Sequence, residues 1–323
     1  VERGEVMKKT WYLIIAAILL VIGCVTYGYH EHNKPKTAQE LKTVRVAYLP
    51  ITHALPVFAT KELETADGPV HVELVKYGSW PELMDALNTG KVDAAAVLVE
   101  LAVKAREQGI DVRAAALGHT EGNIIIVNND INSVQDLKGK SFAIPHKQST
   151  QKILVDCMLE NAGLTEKDVQ IVEMSPPEMP SALSVGQIAG YSVAEPFGSL
   201  ALEMGNGKVF EDPDHLWHDN ICCALVFNGQ FVDEHHDLAK AFTKAYLDAG
   251  EYLDEHPKAQ EEISLKYMKF NDPVIERSLK VIGFKDLALT EDRYNALVHH
   301  MTHIDLIKKV PSYSEFVDTS LLP

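Results

Sequence analysis

Five short segments place candidate contact groups where an extended run gives way to a helical one: Thr52-His53, Ser79-Trp80, Val97-Leu98, Gln148-Ser149-Thr150 and Glu195-Pro196. Helix starts of this kind carry unpaired backbone N–H groups and the positive end of the helix dipole, so they bind anions without needing an Arg. The chemistry this offers is recognition. No Gly-rich phosphate loop, Gly-x-Ser-x-Gly elbow or His-Glu-x-x-His motif is present to make or break bonds. His53 can orient a ligand oxygen or change charge near neutral pH, or it can serve as a simple polar group at a helix start. Trp80 can wall a pocket or staple a helix to its own surface. Gln148, Ser149 and Thr150 suit both helix capping and ligand contact. Glu195 discriminates most. Facing a cleft, its carboxylate would disfavour a bare anion and suit a zwitterion, an organic base or a metal–anion pair; facing its own helix, it is a cap.

The remaining histidines and the cysteines give weaker signals. His299 and His303 share a helical face at i,i+4, but no carboxylate or thiol completes a zinc set, and they are read as a solvated face. His235-His236 is read the same way. Of the four cysteines, Cys24 closes an apolar N-terminal run. Cys157, Cys222 and Cys223 are read as small buried hydrophobes, unbridged, since an adjacent pair makes a strained disulfide. No metal and no cofactor are expected.

The elements that must position these groups follow a repeated order. Val44–Leu49, Val70–Val75, Asp93–Val97 and Arg113–Leu117 read as strands, with helices over 54–64, 80–89 and up to Glu107 between them. Ser79 and Glu82 have the spacing of a capping box for the second helix. Ile124–Val127 is a further strand, and the pattern then restarts. Strands at 141–144, 169–173 and 190–194 alternate with helices at 150–161, at 178–186 and after Glu195. A long apolar strand, 221–227, precedes a tail, 234–322, that is almost wholly helical by period. Alternating β and α elements predict mostly parallel sheets flanked by helices, here in two lobes. The lobe assignment is 42–127 with 226–323, and 128–225 between them.

Length and charge narrow the setting. The chain has 323 residues and a net charge of −16, a balance that repels nucleic acid. Lys8-Lys9, the apolar run Trp11–Ile22 and Gly23-Cys24 form a secretory signal that resembles a bacterial lipobox, with an uncleaved anchor helix as the other reading. Residues 1–23 are then a signal peptide and 24–41 a polar tether from lipidated Cys24. Either way the body lies outside the cytoplasm, held to a membrane.

Six segments in register resemble the solute-binding proteins of ABC importers for nitrate, sulfonate, taurine and bicarbonate, and their thiamine-precursor-binding kin. They are Leu49-Pro50-Ile51-Thr52-His53-Ala54, Gly78-Ser79-Trp80-Pro81, Leu87-Asn88-Thr89-Gly90-Lys91-Val92-Asp93-Ala94, Asp136-Leu137-Lys138-Gly139-Lys140, Ala194-Glu195-Pro196-Phe197 and Cys222-Cys223-Ala224-Leu225-Val226. The resemblance covers roughly 43–320. It implies a type II periplasmic-binding-protein fold joined by two hinge strands, with second-lobe ligand contacts near Gln148–Thr150. It also implies a monomeric receptor, not an enzyme, that captures a small anionic or zwitterionic solute and passes it to a permease and ATPase. The same fold also serves biosynthetic enzymes of thiamine and menaquinone pathways, for which a lipobox would be out of place, and it could serve a sensory lipoprotein.

Overall fold

The computed structural model describes residues 42–323. The signal segment, Cys24 and the tether lie outside the described residues. Among the described residues, no helix is long and apolar enough to cross a membrane.

The chain begins with β1 (Thr43–Tyr48), a 3-10 turn at Thr52–Ala54 and α1 (Leu55–Leu63). β2 (His71–Lys76), α2 (Trp80–Asn88), β3 (Ala94–Leu98), α3 (Val99–Glu107) and β4 (Val112–Leu117) follow. It then passes through β5 (Thr120–Glu121) into β6 (Asn123–Val127), β7 (Ser141–Ile144), α4 (Thr150–Asn161), β8 (Gln170–Glu173), α5 (Met179–Ser184), β9 (Gly190–Ala194), α6 (Phe197–Glu203) and β10 (Lys208–Glu211). β11 (Cys223–Asn228) leads into the long α7 (Gly229–Glu255), then α8 (Pro257–Met268), α9 (Asp272–Ser278), β12 (Ile282–Gly283) and α10 (Glu291–His303).

Two five-stranded sheets result, ordered β2-β1-β3-β11-β4 and β10-β6-β9-β7-β8. Each is mixed. β1 pairs in parallel with β2 and β3, while β11 inserts antiparallel between β3 and β4. β7 pairs in parallel with β8 and β9, and β6 runs antiparallel to β9 and β10. The chain crosses between the sheets through 118–122 and returns through 212–222. β3 is AAAVL, buried at every position, as a central strand covered on both faces must be.

The helical tail closes the first sheet. α7 buries Phe231, Ala239, Phe242, Tyr246, Ala249 and Leu253 at helical spacing and packs against α1 and β4. The tail is interrupted by β12, which pairs with β5 beside the first crossing, so it is less uniformly helical than its sequence period implies. Asn228 caps α7, accepting from Phe231 N at 3.2 Å, and donates to Leu87 O at 2.9 Å. Asn228→Ala is expected to cost about 1–2 kcal/mol for the lost cap, read as a lowered urea midpoint with unchanged m. The expected Ser79 cap does not form. Ser79 is the N-cap by backbone geometry, but its side chain makes no capping hydrogen bond, and Pro81 stands in the first turn of α2.

Candidate functional site

The two crossings, the β1 turn and the starts of α3 and α4 converge on one buried cluster. The turn after β1 buries Thr52 and His53 completely. His53 Nε2 lies 2.9 Å from Gly122 O on the first crossing. A carbonyl can only accept, so Nε2 donates here and Nδ1 is the ring nitrogen left to face the cluster. That Nδ1 faces Cys223 Sγ at 3.6 Å. The ring rests on His119, also on the first crossing, with centroids 3.6 Å apart. Cys222 and Cys223 come from the return, at the entry to β11. Cys222 lies just before the strand, which lets both adjacent side chains turn to the same side. Their sulfurs are 3.9 Å apart and the thiols are free.

Around this core the polar groups are incompletely paired. Glu100, in the first turn of α3, is fully buried; Oε1 accepts from Thr150 Oγ1 at 2.5 Å and Oε2 has no partner. Thr150 Oγ1 also approaches Ile221 O at 2.8 Å. Gln151 Nε2 donates to Asn123 Oδ1 at 2.7 Å and to Cys222 Sγ at 3.3 Å, while Gln151 Oε1 has no partner. His119 Nδ1 has none either. Three buried polar atoms without a partner thus lie in one cluster, an arrangement that is costly to a fold.

The electrostatics favour positive charge. Burial, reinforced by Cys222, pushes the Glu100 carboxyl well above the carboxylate range. Burial and the adjacent His53 lower His119 to about 4, so its ring is neutral at physiological pH. Burial alone would raise the Cys222 thiol, but Cys223, His53 and His119 together hold it below the ordinary thiol range. Cys223 is pushed up by burial and by its neighbour. Lys152 is the one buried lysine or arginine among the described residues, and Asp156 and Glu166 hold it. Beside the cluster lies a cavity of about 530 Å³ lined by its Gly122 and Asn123 and by Asn220, which accepts from Asn123 Nδ2 at 3.1 Å. Four carboxylates, Glu121, Glu211, Asp212 and Asp214, line that cavity against the single Lys280.

Of the residues singled out in the sequence, Thr52, His53 and Thr150 meet at this junction. Val97 and Leu98 stand beside it in register with Ala224 and Cys223. Ser149 caps α4, accepting from Lys152 N at 3.1 Å. Gln148 is half-buried, its N–H on His146 Nδ1. Trp80 is buried with Nε1 unpaired. Neither Ser79, Trp80 nor Gln148 shows a hydrogen bond to the cluster. Glu195 turns to its own helix, accepting from Ser199 N and Ser199 Oγ at 2.9 Å, and Ser278 Oγ lies 3.4 Å away. Its backbone carbonyl, not its carboxylate, meets Thr52. Burial raises the Glu195 carboxyl pKa. A raised folded pKa means that the folded state holds its proton longer than the unfolded one, so stability falls as pH rises above the unfolded value. Glu195→Gln is expected to remove that fall, its melting temperature holding between pH 5 and 8 where the parent's declines.

Glu100, His119, Asn123, Gln151, Cys222 and Cys223 escaped the sequence reading. Cys222 and Cys223 are buried as expected and Cys157 only partly, but the adjacent pair lines a polar cluster and is not apolar filler. His299 and His303 remain exposed, and His303 pairs with Glu160 at 3.2 Å.

Comparison with known proteins identifies the family and the fold. The model of the NMT1-like family matches residues 37–266. The solved ligand-binding component of an ABC-type import system from Staphylococcus aureus, with zinc bound, superposes with a TM-score of 0.83 at 35% identity, covering 87% of this chain and 97% of that one. The taurine-binding periplasmic protein of Escherichia coli is 29% identical over 220 residues, 66% of this chain and 67% of that protein. The nitrate import ATP-binding protein NrtC of Synechocystis is 25% identical over 238 residues, and the match spans only 36% of its length. The architecture is the periplasmic-binding-protein fold, and the relatives of matching length include a taurine-binding periplasmic protein and a ligand-binding component of an ABC-type import system. This chain, matched over most of its length and folded as its relatives fold, belongs to the NMT1-like family.

Proposed function

We propose that this chain is the extracytoplasmic solute receptor of an ABC importer, tethered through lipidated Cys24, which closes two lobes over a small solute and delivers it to the permease. The observation that carries this reading is the buried cluster between the sheets, where Glu100, His119 and Gln151 each leave a polar atom unpaired. Hinge closure over a ligand supplies what those atoms lack.

The cargo is positively charged or zwitterionic. Glu100 and the cysteine pair face the site, and the adjoining cavity sets four carboxylates against the single Lys280. Bare nitrate or bicarbonate would meet uncompensated negative charge. A zwitterion such as taurine keeps the link to the Escherichia coli relative; the zinc held by the Staphylococcus aureus component supports a cation. Thermal denaturation of residues 24–323 against taurine, an alkanesulfonate, nitrate, bicarbonate and zinc tests the reading. A solute at 100 times its Kd stabilises by about 2.7 kcal/mol, a melting shift of about 5–10 °C. A shift with a cation or zwitterion and none with the bare anions is expected. No shift with any of them would sink the receptor assignment.

A further inference from the structure

We propose that His53, His119, Cys222 and Cys223 form a four-coordinate site for one soft transition-metal ion of the zinc class, and that this ion is the solute the receptor captures. The proposal deepens the receptor reading and rests on it. Among the described residues, this is the group whose ligand atoms converge, all within 4.8 Å of one another. Each of the four residues is 0–1% exposed.

Two of the spacings in this group match the edges of a zinc tetrahedron. Zinc–sulfur bonds of about 2.3 Å and zinc–nitrogen bonds of about 2.0–2.1 Å set tetrahedral edges of about 3.8 Å between sulfurs and about 3.6 Å between sulfur and nitrogen. Cys222 Sγ and Cys223 Sγ are 3.9 Å apart, and Cys223 Sγ and His53 Nδ1 are 3.6 Å apart. The sulfurs are thus too far apart for a disulfide and correctly placed to share an ion. His53 also has the outer partner that a ligating imidazole needs. Its Nε2–H is held by Gly122 O, which fixes the tautomer and aims Nδ1 at the centre. Two sulfurs and two nitrogens select a soft ion over calcium or magnesium, which take oxygen.

The division of labour between the sheets fits capture. The β1 turn and the two crossings supply all four ligands, while the second lobe supplies the cover: Gln151 reaches Cys222 and Thr150 reaches Glu100. Opening the lobes would therefore uncover the ion without dismantling its ligand set. The acidic cavity alongside would draw a divalent cation inward.

Residues 24–323, freed of metal by a chelator under reducing conditions, are titrated with zinc against a chromophoric competitor and, separately, with cobalt(II). One equivalent of zinc is expected at a Kd below about 1 µM, and the cobalt form should show thiolate-to-cobalt charge-transfer absorption. Cys222→Ser, Cys223→Ser and His119→Gln should each weaken zinc by about 100-fold or more, since losing a ligand costs at least what losing an outer partner does. Gln151→Ala should speed zinc release about tenfold and keep the cobalt spectrum. His299→Gln with His303→Gln should change nothing. Circular dichroism checks that each variant is folded, and the wild-type cobalt spectrum does not depend on any variant. Less than half an equivalent of zinc on the folded wild-type chain, affinity that survives the Cys222/Cys223 double variant, or a cobalt form without charge transfer would overturn the proposal. Failure here alongside a thermal shift with taurine overturns the metal alone; failure with every solute overturns the receptor reading too.

Discussion

Glu100→Gln is expected to make the empty protein more stable and the loaded protein weaker. The carboxyl is fully buried in the first turn of α3, one oxygen on Thr150 and the other with no partner. Such an arrangement is a liability to folding. Leaving a buried polar atom unpaired costs about 1–3 kcal/mol, and more when the group is charged. Gln keeps the acceptor for Thr150, fills the same space and removes the cost of taking up a proton on folding that the raised carboxyl pKa imposes. The metal-free melting temperature should therefore rise by about 3–8 °C, given about 2–4 °C per kcal/mol in a chain of this size. Affinity for a cation should fall by about 10- to 100-fold, the usual cost of losing a group that supports the ligand shell. A gain in stability coupled to a loss of binding marks a residue kept for function. A variant that melts lower and binds unchanged would return Glu100 to a structural role as the partner of Thr150. Calorimetry of the apo chain and a zinc titration read the two halves.

Gly122→Ala should damage both the fold and the site. Gly122 has φ +81, a conformation that L side chains rarely adopt. A Cβ there would lie 2.8 Å and 2.9 Å from Ile282 Cδ1 and Cγ1, and 3.0 Å from His53 Nε2. Its carbonyl also accepts from His53 and from Glu195 N at 3.1 Å, so any backbone shift moves the ring that faces Cys223. Left-handed strain contributes about 1–2 kcal/mol and overpacking about 1–3 kcal/mol. The sum predicts a melting temperature about 5–15 °C lower, and ligand affinity at least tenfold weaker from the displaced ring. Gly139→Ala separates the two effects. Gly139 has φ +72 with nothing within 4 Å of the added Cβ, so it should lose only the strain contribution and keep its affinity. Equal losses in the two variants would show that the first crossing does not orient His53.

The sequence revealed the elements far better than the cluster they build. Strands such as Val44–Leu49 and Ser141–Ile144 declare themselves by alternation or by short apolar runs, and Ser149 declares the start of α4 by its capping chemistry. The restart of the βα order after β6 carried the two-lobed architecture. Insertion of β11 antiparallel between β3 and β4 was not legible, because a long apolar strand has no preferred direction until its neighbours are known. β12, two residues long, is below any periodic signal. The cluster was missed for a different reason. Its ligands come from residues 53, 119 and 222–223, joined only when the two crossings pass each other, and no spacing rule spans such separations. Adjacent cysteines opening an apolar strand look like filler. The histidines with familiar metal spacing, His299 and His303, stayed in solvent. Glu195 accepts from Ser199 of its own helix, while the buried acid of the cluster, Glu100, resembles any helix-start carboxylate in the sequence.

Diffraction from crystals of residues 24–323 grown with zinc, recorded on both sides of the zinc absorption edge, tests most directly the claim that this cluster is the capture site. A single anomalous peak is expected, about 2.0–2.3 Å from His53 Nδ1 and the two cysteine sulfurs and within bonding distance of a His119 ring nitrogen. A crystal with zinc only on surface groups such as His303 and Glu160, or with an oxyanion occupying the cluster, would contradict it.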